Sequence, residues 1–96
     1  MRNRYLVSYD VSDAKRLRTM HKRLSGFGDP IQYSVFLCPL SAKEKVLLFE
    51  AVRNIIHQQE DRVMVVDLGP VEGRGQECIE FLGRRITLPE SGAVIV

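Results

Sequence analysis

The sequence predicts an α+β sandwich in which two helices lie on one face of a small sheet. Three observations predict it. Apolar residues alternate with polar ones from Arg4 to Asp10, which is the two-residue period of a strand. Two later stretches, beginning near Asp13 and Ser41, carry apolar residues at helical spacing instead. A short extended segment separates those helices, and a run of apolar residues follows the second one.

In the first strand Tyr5, Val7 and Tyr9 share one face, while Leu6, Ser8 and Asp10 share the other; Val11 completes it. Ser12 or Asp13 can then cap a helix, because either side chain can accept from a backbone N–H left free in its first turn. Leu17, Met20 and Leu24 give that helix its apolar stripe. Lys15, Arg18 and Lys22 form a second stripe, flanked by Arg16 and Arg23. Gly26, Gly28 and Pro30 end the helix and turn the chain.

Ile31 to Leu40 reads as extended, with a short strand running into Ser34–Cys38 and Pro39 limiting its far end. The segment is short for a full hairpin, so an abbreviated second strand is expected. Ser41-Ala-Lys-Glu44 is a capping box, in which the serine and glutamate side chains satisfy backbone donors reciprocally. The helix it opens is expected to bury Leu48, Phe49, Val52, Ile55 and Ile56, with polar Gln58–Asp61 closing it. Arg62 to Leu68 is apolar enough to predict a strand buried on both faces. Gly69–Gly75 is loop-like, and Gln76–Gly83 fits a strand or a short helix. Ala93–Val96 is a bare apolar segment that frays unless something pairs with it. The order is that of a ferredoxin-like βαββαβ sandwich with a C-terminal strand extension: one domain over residues 1–96, with a core over 1–68 and an extension over 69–96.

Size and composition agree with this and exclude several classes. At 96 residues, 45% hydrophobic and 27% charged, the chain has the makings of one globular domain. A chain this short buries a small share of its surface alone, so dimerisation would help it. No apolar run approaches the length of a membrane span. Met1–Arg4 leads straight into a strand, so no secretory signal is expected. Cys38 and Cys78 match no zinc or redox spacing and read as free, buried thiols of a reducing, cytoplasmic environment. The net charge of +2 is ordinary, but its distribution is lopsided. Met1–Arg23 holds seven of the 14 basic residues and only Asp10 and Asp13 of the 12 acids, which makes this stretch +5 and the remainder −3. That asymmetry points to an anionic partner.

Few residues have the makings of chemistry. Asp10 stands where a strand ends and a helix is about to begin; a carboxylate there can bind a hard cation such as Mg²⁺, or can cap the turn. One carboxylate is a thin metal site, and a two-fold dimer would bring a second Asp10 to the same place. Phosphate oxygens could complete the coordination and favour attack of water on a phosphodiester. His21 and His57 have no second ligand at metal spacing and read as ordinary surface or half-buried histidines. Tyr5, Tyr9, Tyr33 and Phe36 could stack on bases, but their strand positions favour core packing. Lys15, Arg16, Arg18, Lys22 and Arg23, gathered on about two turns of helix, suit phosphate contacts without sequence preference, or form a solvated face.

Tyr9-Asp-Val-Ser-Asp13 after an apolar strand, Lys15-Arg-Leu-Arg18, Gly26-Phe-Gly28, and Gln32-Tyr-Ser-Val-Phe36 leading into Cys38 together resemble the Cas-two family of CRISPR-associated proteins. The resemblance implies a ferredoxin-like protomer and a homodimer joined through its sheet faces, with C-terminal strands crossing to the partner. It implies that Asp10 matches the family's metal-binding aspartate, in Mg²⁺-dependent nucleases acting on RNA or double-stranded DNA. It further implies an adaptor in spacer acquisition, holding incoming DNA between dimers of the CRISPR integrase, the Cas-one protein. The residues favour the DNA-holding role over the nuclease role, because each chain offers one catalytic carboxylate and no evident general base. A ferredoxin-like RNA-binding or regulatory module without catalysis is the alternative, and it predicts base-stacking aromatics exposed on the sheet.

Overall fold

A computed structural model describes residues 1–84. Strand β1 (Asn3–Asp10) leads into helix α1 (Ala14–Leu24), then strands β2 (Asp29–Gln32) and β3 (Val35–Leu40), helix α2 (Ala42–Ile55), strand β4 (Arg62–Pro70) and a single-turn helix α3 (Arg74–Glu77). The sheet runs in the order β2-β3-β1-β4, with every neighbouring pair antiparallel. This is the ferredoxin-like α+β arrangement, with α1 and α2 on one sheet face.

Local chemistry explains each boundary. Asp13 is the α1 cap, its side chain accepting from the Arg16 backbone N–H at 2.9 Å. His21, Lys22 and Arg23 in the last turn complement the negative end of the helix dipole. The capping box at α2 is complete: Ser41 Oγ accepts from the Glu44 N–H, and the Glu44 carboxylate accepts from the Ser41 N–H at 2.8 Å. Arg2 donates to the same carboxylate at 2.9 and 3.0 Å. The Arg2 hydrogen bond leads the effects that lower the Glu44 pKa to about 2, followed by that from the Ser41 backbone. Gly28 has to be glycine, since a Cβ there would collide with the Leu37 carbonyl and the Cys38 backbone as β2 enters the sheet.

The core lies between the sheet and the helices. Register aligns Tyr5 with Cys38, Val7 with Phe36 and Val65, and Tyr9 with Val63, so these side chains form rows facing Met20, Leu24, Leu48 and Val52. Phe36, Val7 and Cys38 are completely buried. Burial, then the nearby charge of Asp29, pushes the Cys38 thiol up to about 12, which leaves it inert at neutral pH. Cys78, also a free thiol, is half-buried.

Three expectations change. The second strand is indeed short, four residues, but it is separated from β3 by a two-residue turn at Tyr33–Ser34, and Pro39 sits inside β3. Strand β4 is not buried on both faces: among the described residues it is an edge strand, and Met64 and Val66 are exposed on the face away from the helices. A continuous apolar run cannot by itself distinguish a central strand from an edge strand whose outer face is kept for something else. The Gln76–Gly83 stretch resolves to the end of α3 and irregular chain, and α3 packs near Arg4, where Gly75 admits close approach to the Gly69 and Pro70 carbonyls. Ala93–Val96 lies outside the described residues.

Candidate nucleic-acid interface

Strand β1 is central in the sheet, and its alternation sends Asp10 to the face away from the helices, at the mouth of the β1–α1 junction. The carboxylate is 81% exposed and lies 3.9 Å from Arg62, its cross-strand partner. A pair so open to water is weak. With Ser8 and Met64 these two residues line an open hollow of about 290 Å³. Oxygen donors of this kind fit Mg²⁺, which takes one or two carboxylates and completes its shell with water or phosphate. Among the described residues, however, no group of three or more acids, histidines or cysteines gathers anywhere. One chain therefore offers one carboxylate, next to a competing guanidinium.

Helix α1 carries its cations in two states. Lys15, Arg18, Lys22 and Arg23 are exposed, with the Arg23 guanidinium 5.7 Å from the Phe27 ring centre. Arg16, the fifth member of the basic cluster, is tied inward. Its Nε donates to Asp61 at 2.8 Å, and its Nη2 reaches both Asp61 at 3.2 Å and Glu60 at 3.3 Å. The guanidinium is committed to holding the fold, whereas its four neighbours are free to meet solvent or an anion.

Asp61 is the residue that sequence reasoning missed. Its place in a polar segment after α2 suggests a solvated acid, yet its side chain is fully buried. Besides Arg16 it accepts from the backbone N–H of His57 at 2.8 Å and of Ser12 at 3.1 Å. One carboxylate thus joins the β1–α1 turn, helix α1 and the end of α2. The Arg16 hydrogen bond is the largest influence on its pKa, and with the two backbone donors it outweighs burial and holds the group well below its usual range. An acid immediately before an apolar strand is the only local signal, and the distance of 45 positions from Arg16 cannot be bridged by spacing rules.

The aromatics divide as well. Tyr5, Tyr9 and Phe36 are core residues on the helix side, as their strand positions imply. Tyr33 is 83% exposed, because it belongs to the β2–β3 turn and not to either strand. His21 stands on α1 in a T-shaped contact with the Phe36 ring, its Nδ1 at 3.4 Å from the Tyr9 hydroxyl. His57 lies just past α2, where its backbone serves Asp61. Neither histidine has a metal-ligating companion among the described residues. No helix among these residues is long and apolar enough to cross a membrane.

A helix-backed antiparallel sheet, an exposed carboxylate at the end of β1 on the open face and a cationic helix on the other face define a ferredoxin-like α+β protein. The family model of CRISPR associated protein Cas2 matches residues 2–72. The CRISPR-associated endoribonuclease Cas2 1 of Rhodospirillum rubrum is 34% identical over 92 residues, which cover 96% of this chain and 89% of that one. Among solved structures, Streptococcus pyogenes Cas2 superposes with a TM-score of 0.73 at 32% identity, covering 83% of this chain and 99% of the other. The hypothetical protein TT1823 from Thermus thermophilus gives 0.76 at 26% identity, over 93% and 100%. The chain belongs to the CRISPR-associated Cas2 family.

Proposed function

We propose that this protein is a homodimeric nucleic-acid-holding subunit of CRISPR adaptation, a cytoplasmic partner of the Cas-one integrase during spacer acquisition. Double-stranded DNA is the principal ligand. The observation that carries the reading is the solvent-facing quartet of Lys15, Arg18, Lys22 and Arg23 on α1, with no acid of the same helix opposing it. Such a surface binds phosphates through charge and hydrogen bonding with little regard to base sequence. Pairing of two protomers through the sheet face that carries exposed Met64 and Val66 and half-buried Leu6 would double it.

Catalysis is the second part of the reading and the weaker part. The relatives carry the name endoribonuclease, and Asp10 is the residue suited to hold Mg²⁺. When bound, that ion supplies Lewis-acid polarisation of a phosphodiester and a more acidic water. Two Asp10 carboxylates, one from each protomer, would hold it, while the α1 cations orient the phosphate backbone. RNA and double-stranded DNA both satisfy this chemistry. The non-catalytic RNA-binding alternative loses ground, because the sheet face turned away from the helices presents Leu6, Ser8, Met64 and Val66 and none of the stacking aromatics that module needs.

Reversal of charge at Lys15, Arg18 and Lys22 tests the first part. Duplex DNA binding should weaken, and the plot of log affinity against log salt should become shallower by roughly 0.9 for each phosphate that the helix no longer neutralises. An unchanged slope would remove α1 from the interface. Asp10→Asn tests the second part: Mg²⁺-dependent cleavage should vanish while DNA binding and dimer persist. Spacer acquisition that survives this change assigns the cellular role to holding, not hydrolysis.

A further inference from the structure

The exposed Tyr33 does not stand alone. It forms one wall of a groove of about 370 Å³ between the β2–β3 turn and helix α1, lined also by Tyr9, Leu17, Arg18, His21 and Lys22. That volume is at the lower end of the range for small-ligand sites. The floor is apolar, supplied by Leu17 and the body of Tyr9; the rim carries two cations and an aromatic ring, and no acid lines it. The walls are held in place. The Tyr9 backbone N–H donates to the Ser34 carbonyl at 3.1 Å, which pins the turn to the central strand. His21 is braced by Phe36 and by the Tyr9 hydroxyl. The groove also lies on the helix side of the sheet, so it stays open when protomers pair through the opposite face.

We propose that this groove binds an unpaired nucleotide of a bound nucleic acid, its base stacked on Tyr33 and its phosphate held by Arg18 and Lys22. The inference rests on the nucleic-acid reading above and adds to it a site that distinguishes single strands from duplex. A base inside a duplex offers no free face to Tyr33, whereas an unstacked one offers both. Arg18 and Lys22, one helical turn apart on α1, are spaced as neighbours on a helix surface and can share one phosphate group. An apolar floor with a cationic rim matches a nucleotide, flat and apolar in its base and anionic at its backbone.

The full-length protein should be titrated with a short single-stranded oligonucleotide carrying 2-aminopurine, and separately with a blunt duplex of equal length. Wild type and Tyr33→Phe should quench the probe, because stacking needs the ring and not the hydroxyl. Tyr33→Ala should leave it bright, weaken single-strand affinity about tenfold and leave duplex affinity unchanged. Its exposed position means the melting temperature should stay at the wild-type value. Duplex binding with no quenching by wild type overturns the groove alone. Equal loss of single-strand and duplex binding in Tyr33→Ala does the same. Failure of wild type to bind either strand form overturns the nucleic-acid reading beneath it.

Discussion

The two faces of the sheet are made of alternate residues of the same strands, yet they serve different ends. On the helix side Tyr5, Val7, Tyr9, Phe36 and Cys38 are almost wholly shielded by the protomer's own helices. On the other side Met64 is 58% exposed and Val66 37%, in a strand rich in apolar residues. The first face is complete within one chain. The second is apolar without being covered among the described residues, and the strand-end carboxylate opens onto it. A protein that spends only half of its sheet on its own core is one whose folding and assembly can be disturbed separately, and substitution on each face should show it.

The largest effect belongs to the helix side. Phe36 is fully buried, packs against Tyr9 and His21, and is aligned with Val7 in the register. Truncation to alanine should destabilise the protomer by about 3–5 kcal/mol, the sum of lost transfer energy and a cavity that rigid neighbours fill poorly. In a small domain that is a large share of total stability. Chemical denaturation measures it; a loss under about 1 kcal/mol would mean that the helix side is not the folding core.

Next comes the polar knot at the margin of that core. Asp61→Asn keeps the shape but removes the charge that Arg16 and two backbone donors face, and should lower the melting temperature by roughly 5–10 °C at neutral pH. The sign of its pH dependence follows from the direction of the shift. The folded pKa lies below the ordinary value of 3.8, so the stabilisation is fully present above that value and is lost as pH falls through the folded pKa. The gap between wild type and Asp61→Asn should therefore be widest near neutrality and narrow as the pH drops below 3.8. A gap that stays constant on acidification would show that packing, not charge, is what Asp61 contributes.

These two residues also mark how far the sequence can be read. Phe36 lies in an apolar extended segment, and Leu48 and Val52 in a helix opened by a capping box. Patterns with a period of two or 3.6 residues are local, and they deliver the element order, the α2 cap and most of the core. Asp10 is legible as the end of a strand, because a cap and a basic helix follow it directly. Asp61 is not, since its partners Ser12 and Arg16 are distant in sequence and meet it only through the fold. For the same reason Arg16 looks like its neighbours on α1 in the sequence and is internally paired in the structure. Tyr33 differs from expectation by a shift of one element: within a strand it would be core, but within a two-residue turn it is exposed. The uncovered side of β4 is beyond reach, because hydrophobicity says that a residue seeks burial and not which chain will bury it.

That last point gives the smallest expected effect on the protomer and the sharpest contrast between the faces. Met64→Lys with Val66→Lys replaces two exposed apolar side chains by charges on the same face of an edge strand. Neither residue belongs to the protomer's core cluster, so stability at dilute concentration should change by no more than about 0.5 kcal/mol. Self-association should respond very differently, because a two-fold contact through this face brings each new charge close to its symmetry mate, and four like charges lose their water together. If the proposed dimer forms through this face, analytical ultracentrifugation should then find the double variant shifted toward monomer relative to the unmodified chain. A double variant that self-associates like the unmodified chain would place the proposed two-fold contact elsewhere. Lysines that instead collapse the protomer would show that the face takes part in folding, and that the division between the two sides of the sheet is less complete than their burial implies.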